Sequence, residues 1–328
     1  MPLTDLSLDQ LREYRPEVPE PADFDAFWER TLKSAREYPI GAVWTPVPEA
    51  EHQLTEFEVF DVRFNGWAGQ PVAAWLLLPR VRRGRLPVVV RYLGYSGGRG
   101  LPLEHVFFPA AGYAHLVVDS RGQGRDTPDP VEGGGTQWVN GFMTRGIEHP
   151  DNYYYRRLTT DCVRAVEAVR EHPEIDPDRV VVTGASQGGG LTLAVAGLVP
   201  DLVAAAMADV PFLCHFRRAA EIAPQAPYTE FTDYLKIHHR GAEETVFGTL
   251  DYFDGVHHAA RADGVPALFS VALMDPICPP STVYAAYHRY GGPAEMQVWR
   301  FGDHGGGRAD QIRVQMEWLR SQGLAPSR

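Results

Sequence analysis

A serine stands between glycines in Gly184-Ala185-Ser186-Gln187-Gly188. The run Val180-Val181-Val182-Thr183 precedes it, and a Pro-free apolar stretch follows as far as Gly197. This is G-x-S-x-G where a strand hands over to a helix. Such a turn is tight enough to demand small flanking residues, and it pushes the serine oxygen out at the carboxyl end of a sheet. The helix that begins there offers free N–H groups and a positive dipole end to a developing oxyanion. The bland alternative is a structural Gly/Ser turn. The chemical one is nucleophilic attack by Ser186 on a carbonyl carbon. A serine hydroxyl is a poor nucleophile at neutral pH, so the attack needs a base and a group that orients the base.

The partners of such a serine follow in the order acid then histidine, each after a later strand. Asp275 in "FSVALMDPICPP" and His304 in "VWRFGDHGGG" meet that requirement, 89 and 29 residues further along in turn. His304 would take the proton of Ser186, and Asp275 would hold the imidazole in the needed tautomer. Of the twelve histidines, the other eleven lack a position after the last strand. Asp303 is the main rival acid, but adjacent side chains diverge. Asp119 and Asp209 also end strands, and Asp119 reads as a brace for "SRGQGRD". The oxyanion needs two donors. The Gln187 backbone N–H is one, and the loop "LGYSGG" supplies the other, assigned to the N–H of Tyr95.

The elements that must carry these residues are legible in the patterning. "LPVVVRYLGY", "AGYAHLVVDSRG", "DRVVVTGAS", "LVAAAMADVP", "VPALFSVALMDP" and "AEMQVWRFGDH" read as strands, the first as one buried on both faces. Helical stretches lie among them, including "DNYYYRRLTTDCVRAVEAVREH" and the C-terminal "ADQIRVQMEWLRSQG". That alternation predicts an α/β fold, a mostly parallel central sheet flanked by helices. "TEFEVFDVRFNG" and "QPVAAWLLLP" predict an antiparallel pair that extends it. "FDAFWERTLKSARE" predicts an amphipathic helix in an N-terminal extension, residues 1–54. Residues 211–261 break the rhythm with Pro, aromatic and His residues. They predict a helical insertion before the acid-bearing strand, of the kind that forms a lid or an oligomer surface. The whole, residues 1–328, reads as one domain.

Composition sets limits on partners. The net charge is −11, with 42 acidic and 31 basic residues, which argues against nucleic acid and anionic membranes. No apolar run approaches a bilayer span, and the N-terminus shows no signal-peptide pattern. Cys162, Cys214 and Cys278 are far apart and odd in number, as expected of reduced thiols in a cytoplasmic protein. His238-His239 and His257-His258 do not make a metal site, because adjacent helical histidines point to different sides. No metal or other cofactor is expected.

With these motifs in place, the chain resembles the acetyl xylan esterase and cephalosporin C deacetylase group, carbohydrate esterase family 7 of the α/β-hydrolases. "DFDAFWERTL", "GYSGGRG", "DSRGQG", "TRGIEHPDNYYYRRLTTDCVRAVE", "GASQGGG" and "MDPICPPSTVYAAYHRYGG" carry the resemblance over nearly the whole chain. It implies the α/β-hydrolase fold, with the family's serine, aspartate and histidine on Ser186, Asp275 and His304. It puts the oxyanion donors on Tyr95 and Gln187, and a bracing role on Arg121 and Gln123. It implies removal of acetyl groups from small substrates such as acetylated xylo-oligosaccharides and cephalosporin C, in a cage-like homohexamer. Two positions depart from the family: Gly305 stands where Glu usually follows the histidine, and Pro276 where Asn usually follows the aspartate. Pro276 is near the acyl pocket, and Phe212, Pro227 and Ile277 join it there by analogy. The rivals are a general carboxylesterase or a peptidase on the same fold, and a non-catalytic scaffold. No acidic cluster suited to a peptide amine stands out, and the intact serine, aspartate and histidine argue against a scaffold.

Overall fold

The computed structural model describes residue 3, residues 5–130 and residues 136–327. Its centre is a nine-stranded sheet: β1 (Val43–Pro46), β2 (Phe57–Asn65), β3 (Pro71–Pro79), β4 (Leu86–Tyr92), β5 (Ala114–Val118), β6 (Ile175–Ala185), β7 (Ala205–Asp209), β8 (Ala267–Ala272) and β9 (Ala294–Trp299). The order is β1-β2-β3-β5-β4-β6-β7-β8-β9. The pairs from β5 through β9 are parallel, and β1, β2 and β3 add an antiparallel wing. The sheet and the early antiparallel pair are as expected. The pair is joined by a 3-10 turn, Trp67–Gly69, which follows the end of β2 at Asn65. β1 was not anticipated: it is a mostly exposed edge strand and lacks the alternation that betrays a half-buried one.

Both faces of the parallel strands are covered. Val88 and Val90 face one core with the helices Phe24–Arg36, Tyr154–Val169 and Gln187–Leu198, while Val89, Val181 and Met207 face Trp318 and Leu319 of the helix Arg308–Ser321. Burial on two faces is why these strands read as continuous apolar runs. The helix Gln187–Leu198 has almost no polar side, and all of it except Leu198 is buried.

Between β7 and β8 come the short helices Phe216–Ile222, Tyr228–Asp233, Glu243–Leu250 and Gly255–Ala260. They do not stand free. Trp28 Nε1 donates to the Tyr252 carbonyl at 2.9 Å, Arg261 pairs with Glu20 at 2.6 Å and with Asp25, and His257 reaches the Pro19 carbonyl. The N-terminal extension is therefore fastened onto the insertion within one chain. His258, beside it, sits edge-on to Phe24 and Trp28.

Register brings the strand ends level. Tyr92 pairs with Gly184, Ala185 with Asp209, Asp209 with Ser270, and Ala272 with Trp299. The loops that follow β4, β5, β6, β8 and β9 thus open on one rim of the sheet. This is where ligands bind in open α/β sheets.

Candidate active site

At the end of β6, Ser186 takes φ +58° and ψ −120°, a left-handed conformation rare for a residue with a side chain. The backbone holds it there: Ser186 N donates to the Asp209 carbonyl at 3.0 Å, and Phe212 N donates to the Ser186 carbonyl at 2.9 Å. The two motif glycines are steric necessities. A Cβ on Gly184 would lie 2.5 Å from the backbone of Gly188, and one on Gly188 would lie 2.2 Å from the Tyr92 carbonyl oxygen. Ser186 remains partly open to solvent at the head of the helix Gln187–Leu198.

Asp275 and His304 arrive from the loops after β8 and β9. His304 Nδ1 lies 2.8 Å from Asp275 Oδ2. The other carboxylate oxygen accepts the N–H groups of Ile277 at 2.8 Å and Cys278 at 3.0 Å. The turn therefore fixes the carboxylate, and the carboxylate fixes the ring. Because an ionised carboxylate only accepts, the neutral imidazole keeps its proton on Nδ1 and presents Nε2 as a base. The two loops are also tied together, Met274 N donating to the Gly302 carbonyl at 3.0 Å. Asp303 turns away and accepts from Gly305 N at 2.9 Å. Asp209 is half-buried and held by Gln311 Nε2 at 2.7 Å and Gln315 Nε2 at 2.6 Å, and desolvation pushes its carboxyl up to about 7. Asp119 braces its loop as expected, accepting from Arg99 N at 2.8 Å and Asp126 N at 3.3 Å.

Cys278 completes the cluster and was not singled out from the sequence as part of the site. Its thiol lies beside the Ser186 side chain. Donor atoms of Asp275, Cys278 and His304 lie within 4.8 Å of one another. Ser186, Cys278, Asp275 and His304 thus share one locus although they come from three loops. Burial pushes the Cys278 thiol up, so it stays protonated beside the serine.

Tyr95 follows β4, in the loop alongside. Gln187 links the two segments through its buried side chain: Nε2 donates to the Leu93 carbonyl at 3.2 Å, and Oε1 accepts from Gln123 Nε2 at 2.7 Å and the Tyr155 hydroxyl at 2.9 Å. Gln123 Oε1 also receives Ser96 N at 2.7 Å. Gln123 and Gln187 therefore lock the loop of Tyr95 to the head of the helix. Of the residues placed by analogy, Phe212 is fully buried, with its ring 6.2 Å from that of Tyr95. Pro276 and Ile277 are half-buried beside Asp275, and Pro227 is buried at the start of the helix Tyr228–Asp233.

Arg121 is a buried cation below these loops. Its guanidinium meets Asp161 at 2.7 and 2.9 Å and Asp129 at 3.3 Å, all three side chains being fully inaccessible. Asp129 also pairs with Arg157 and Arg145, and these charges hold its carboxyl below the usual range against the penalty of burial. Removing one partner of such a pair leaves a buried charge uncompensated. Arg121→Ala is therefore expected to cost about 3–5 kcal/mol, read as a lowered urea midpoint. A loss under about 1 kcal/mol would mean that Asp161 finds other partners.

Comparison with known proteins follows the same lines. The family model for acetyl xylan esterase (AXE1) matches residues 1–322. The acetyl esterase Axe7A of Xylanibacter ruminicola is 27% identical over 318 residues, 94% of this chain and 69% of that protein. The acetyl xylan esterase from Paenibacillus sp. R4 superposes with a TM-score of 0.90 at 37% identity, over 96% of this chain and 99% of that one. Acetyl xylan esterase 1 from Thermoanaerobacterium sp. JW/SL YS485 gives a TM-score of 0.88 at 34% identity, over 97% and 99%.

Proposed function

We propose, for a chain that belongs to the acetyl xylan esterase family, a serine esterase whose nucleophile is Ser186, whose base is His304 and whose orienting acid is Asp275. The chain is a carboxylic ester hydrolase of the α/β-hydrolase fold, and the family's acetylated xylan substrates are the ones it acts on. The observation that carries the residue assignment is the 2.8 Å contact of His304 Nδ1 with Asp275 Oδ2, beside a serine held at positive φ on a helix N-terminus.

The steps follow from the geometry. His304 Nε2 takes the Ser186 proton as the serine oxygen adds to the acetyl carbonyl carbon. Charge develops on the carbonyl oxygen and is met by the N–H groups of Gln187 and Tyr95. Collapse expels the sugar alkoxide, which leaves with the proton from His304 and puts the acetyl group on Ser186. Water then adds, with His304 again as base, and acetate and the free serine are released.

Phe212, Pro276, Ile277 and Pro227 are our candidates for the acyl side of the pocket. A pocket limited to acetyl should give kcat/KM for p-nitrophenyl acetate about tenfold or more above butyrate, and octanoate lower still, since each methylene is worth about 1–3 kcal/mol in a shaped pocket. Faster turnover of the longer esters would sink the acetyl limit and leave the general carboxylesterase reading. Cephalosporin C-like acetyl esters belong to the same proposed substrate set. A homohexamer is our reading of the assembly, checked by light scattering. The three free, buried cysteines support a reducing, cytoplasmic setting.

A further inference from the structure

Tyr95 has a side chain as well as an N–H, and the side chain is held with unusual care. Its hydroxyl donates to Glu230 Oε2 at 2.7 Å and accepts the Phe142 N–H. The same carboxylate oxygen accepts Met143 N at 3.1 Å. The Tyr95 ring packs edge-on against Phe142 at 5.7 Å and Phe212 at 6.2 Å. Glu230 comes from the insertion, on the helix Tyr228–Asp233, and is only 6% exposed. The loop 138–147 closes over it: Gly141 has φ +114°, and a Cβ there would lie 2.1 Å from a carboxylate oxygen.

This is a costly place for a carboxyl group. Among the described residues Glu230 has no Lys, Arg or His partner within ion-pair distance, so neutral donors alone compensate its desolvation. Burial pushes its carboxyl upward, and the bonds from Tyr95, Met143 and Phe142 pull against that. An apolar side chain would fill the space at less cost. What an apolar side chain could not do is hold the Tyr95 hydroxyl.

We propose that Glu230 is a positioning residue of the oxyanion site, fixing the Tyr95 side chain and through it the backbone that presents the Tyr95 N–H. The inference rests on the reading of that N–H as an oxyanion donor. Gln123 anchors the loop on the backbone side through Ser96, and Glu230 anchors it on the side-chain side. Two anchors matter because an oxyanion donor must sit within about 0.5 Å of its productive position. The insertion thereby reaches the chemistry from 135 residues away.

The test is steady-state kinetics on p-nitrophenyl acetate for wild type, Ser186→Ala, Tyr95→Phe, Glu230→Ala, Glu230→Gln and the double variant Tyr95→Phe/Glu230→Ala. Tyr95→Phe and Glu230→Ala should each lower kcat by about 10- to 100-fold with KM within about threefold, since misplacing one donor costs transition-state binding alone. Glu230→Gln keeps a carbonyl acceptor for the tyrosine and should recover to within about fivefold of wild type. The double variant should be no worse than the poorer single, as for two residues acting through one contact. Tyr95→Phe removes one oxygen, so it decides the matter even if Glu230→Ala fails to fold. Tyr95→Phe with kcat within twofold of wild type overturns the inference. In that case a dead Ser186→Ala leaves the esterase reading standing. An active Ser186→Ala would overturn that reading instead.

Discussion

Replacing Ser186 with alanine is expected to lower kcat for p-nitrophenyl acetate by at least about 10⁴-fold while the protein stays folded. The size follows from what is removed. Without the hydroxyl there is no acyl-enzyme, and hydrolysis falls back on whatever the oxyanion N–H groups and substrate binding give to direct attack by water. The fold should tolerate the change, because the elbow is held by backbone bonds at Ser186 N and O, which alanine retains. Alanine also adopts positive φ no more easily than serine, so stability should change little. Labelling with a serine-directed phosphonate gives the companion readout: wild type should be modified at Ser186 and the variant should not. Undiminished turnover in the variant would remove Ser186 from the mechanism. Folded wild type that neither labels nor turns over would point to a scaffold.

Asp275→Asn should be nearly as damaging, at about 10⁴-fold in kcat, and for a different reason. The asparagine amide can present a donor to His304 Nδ1, which favours the tautomer with its proton on Nε2 and no base facing the serine. Oδ1 of Asp275 also receives the N–H groups of Ile277 and Cys278, so asparagine keeps the turn only with its carbonyl oxygen there and its NH₂ group toward the ring. The geometry itself enforces the wrong tautomer. Asp303→Asn is the control. Its carboxylate bonds to Gly305 N and lies 3.8 Å from Arg308, so activity should stay within about twofold. Equal losses at both positions would break the assignment of Asp275 as the orienting acid.

Much of this candidate site is legible in the chain because its constraints are local. The glycines at 184 and 188 are required by atoms within a few residues or on the neighbouring strand, so they leave a five-residue signature. Asp275 and His304 could be placed because parallel strands end on one rim, and the order of strands was visible in the apolar runs. Asp303 was excluded by the divergence of adjacent side chains. Gln123 and Arg121 were picked out as braces, but their partners were not: Arg121 meets Asp161 40 residues away, and nothing in either segment marks the other.

Three things were decided only in the folded molecule. Cys278 read as an ordinary buried thiol until the loop after β8 brought it to Ser186. Glu230 carries no mark in the sequence, and packing alone puts it beneath residues 138–147 and against Tyr95. Nothing in the sequence ties the insertion to the N-terminal extension, yet Trp28 and Tyr252, 224 residues apart, are bonded. The chain by itself determined the strand–helix rhythm, the strained serine and the residues that end the right strands, because backbone sterics and burial periodicity act over a few residues. Which carboxylate meets which hydroxyl across the fold is settled by packing, where the cost of an unpaired buried polar group selects partners that spacing along the chain does not reveal.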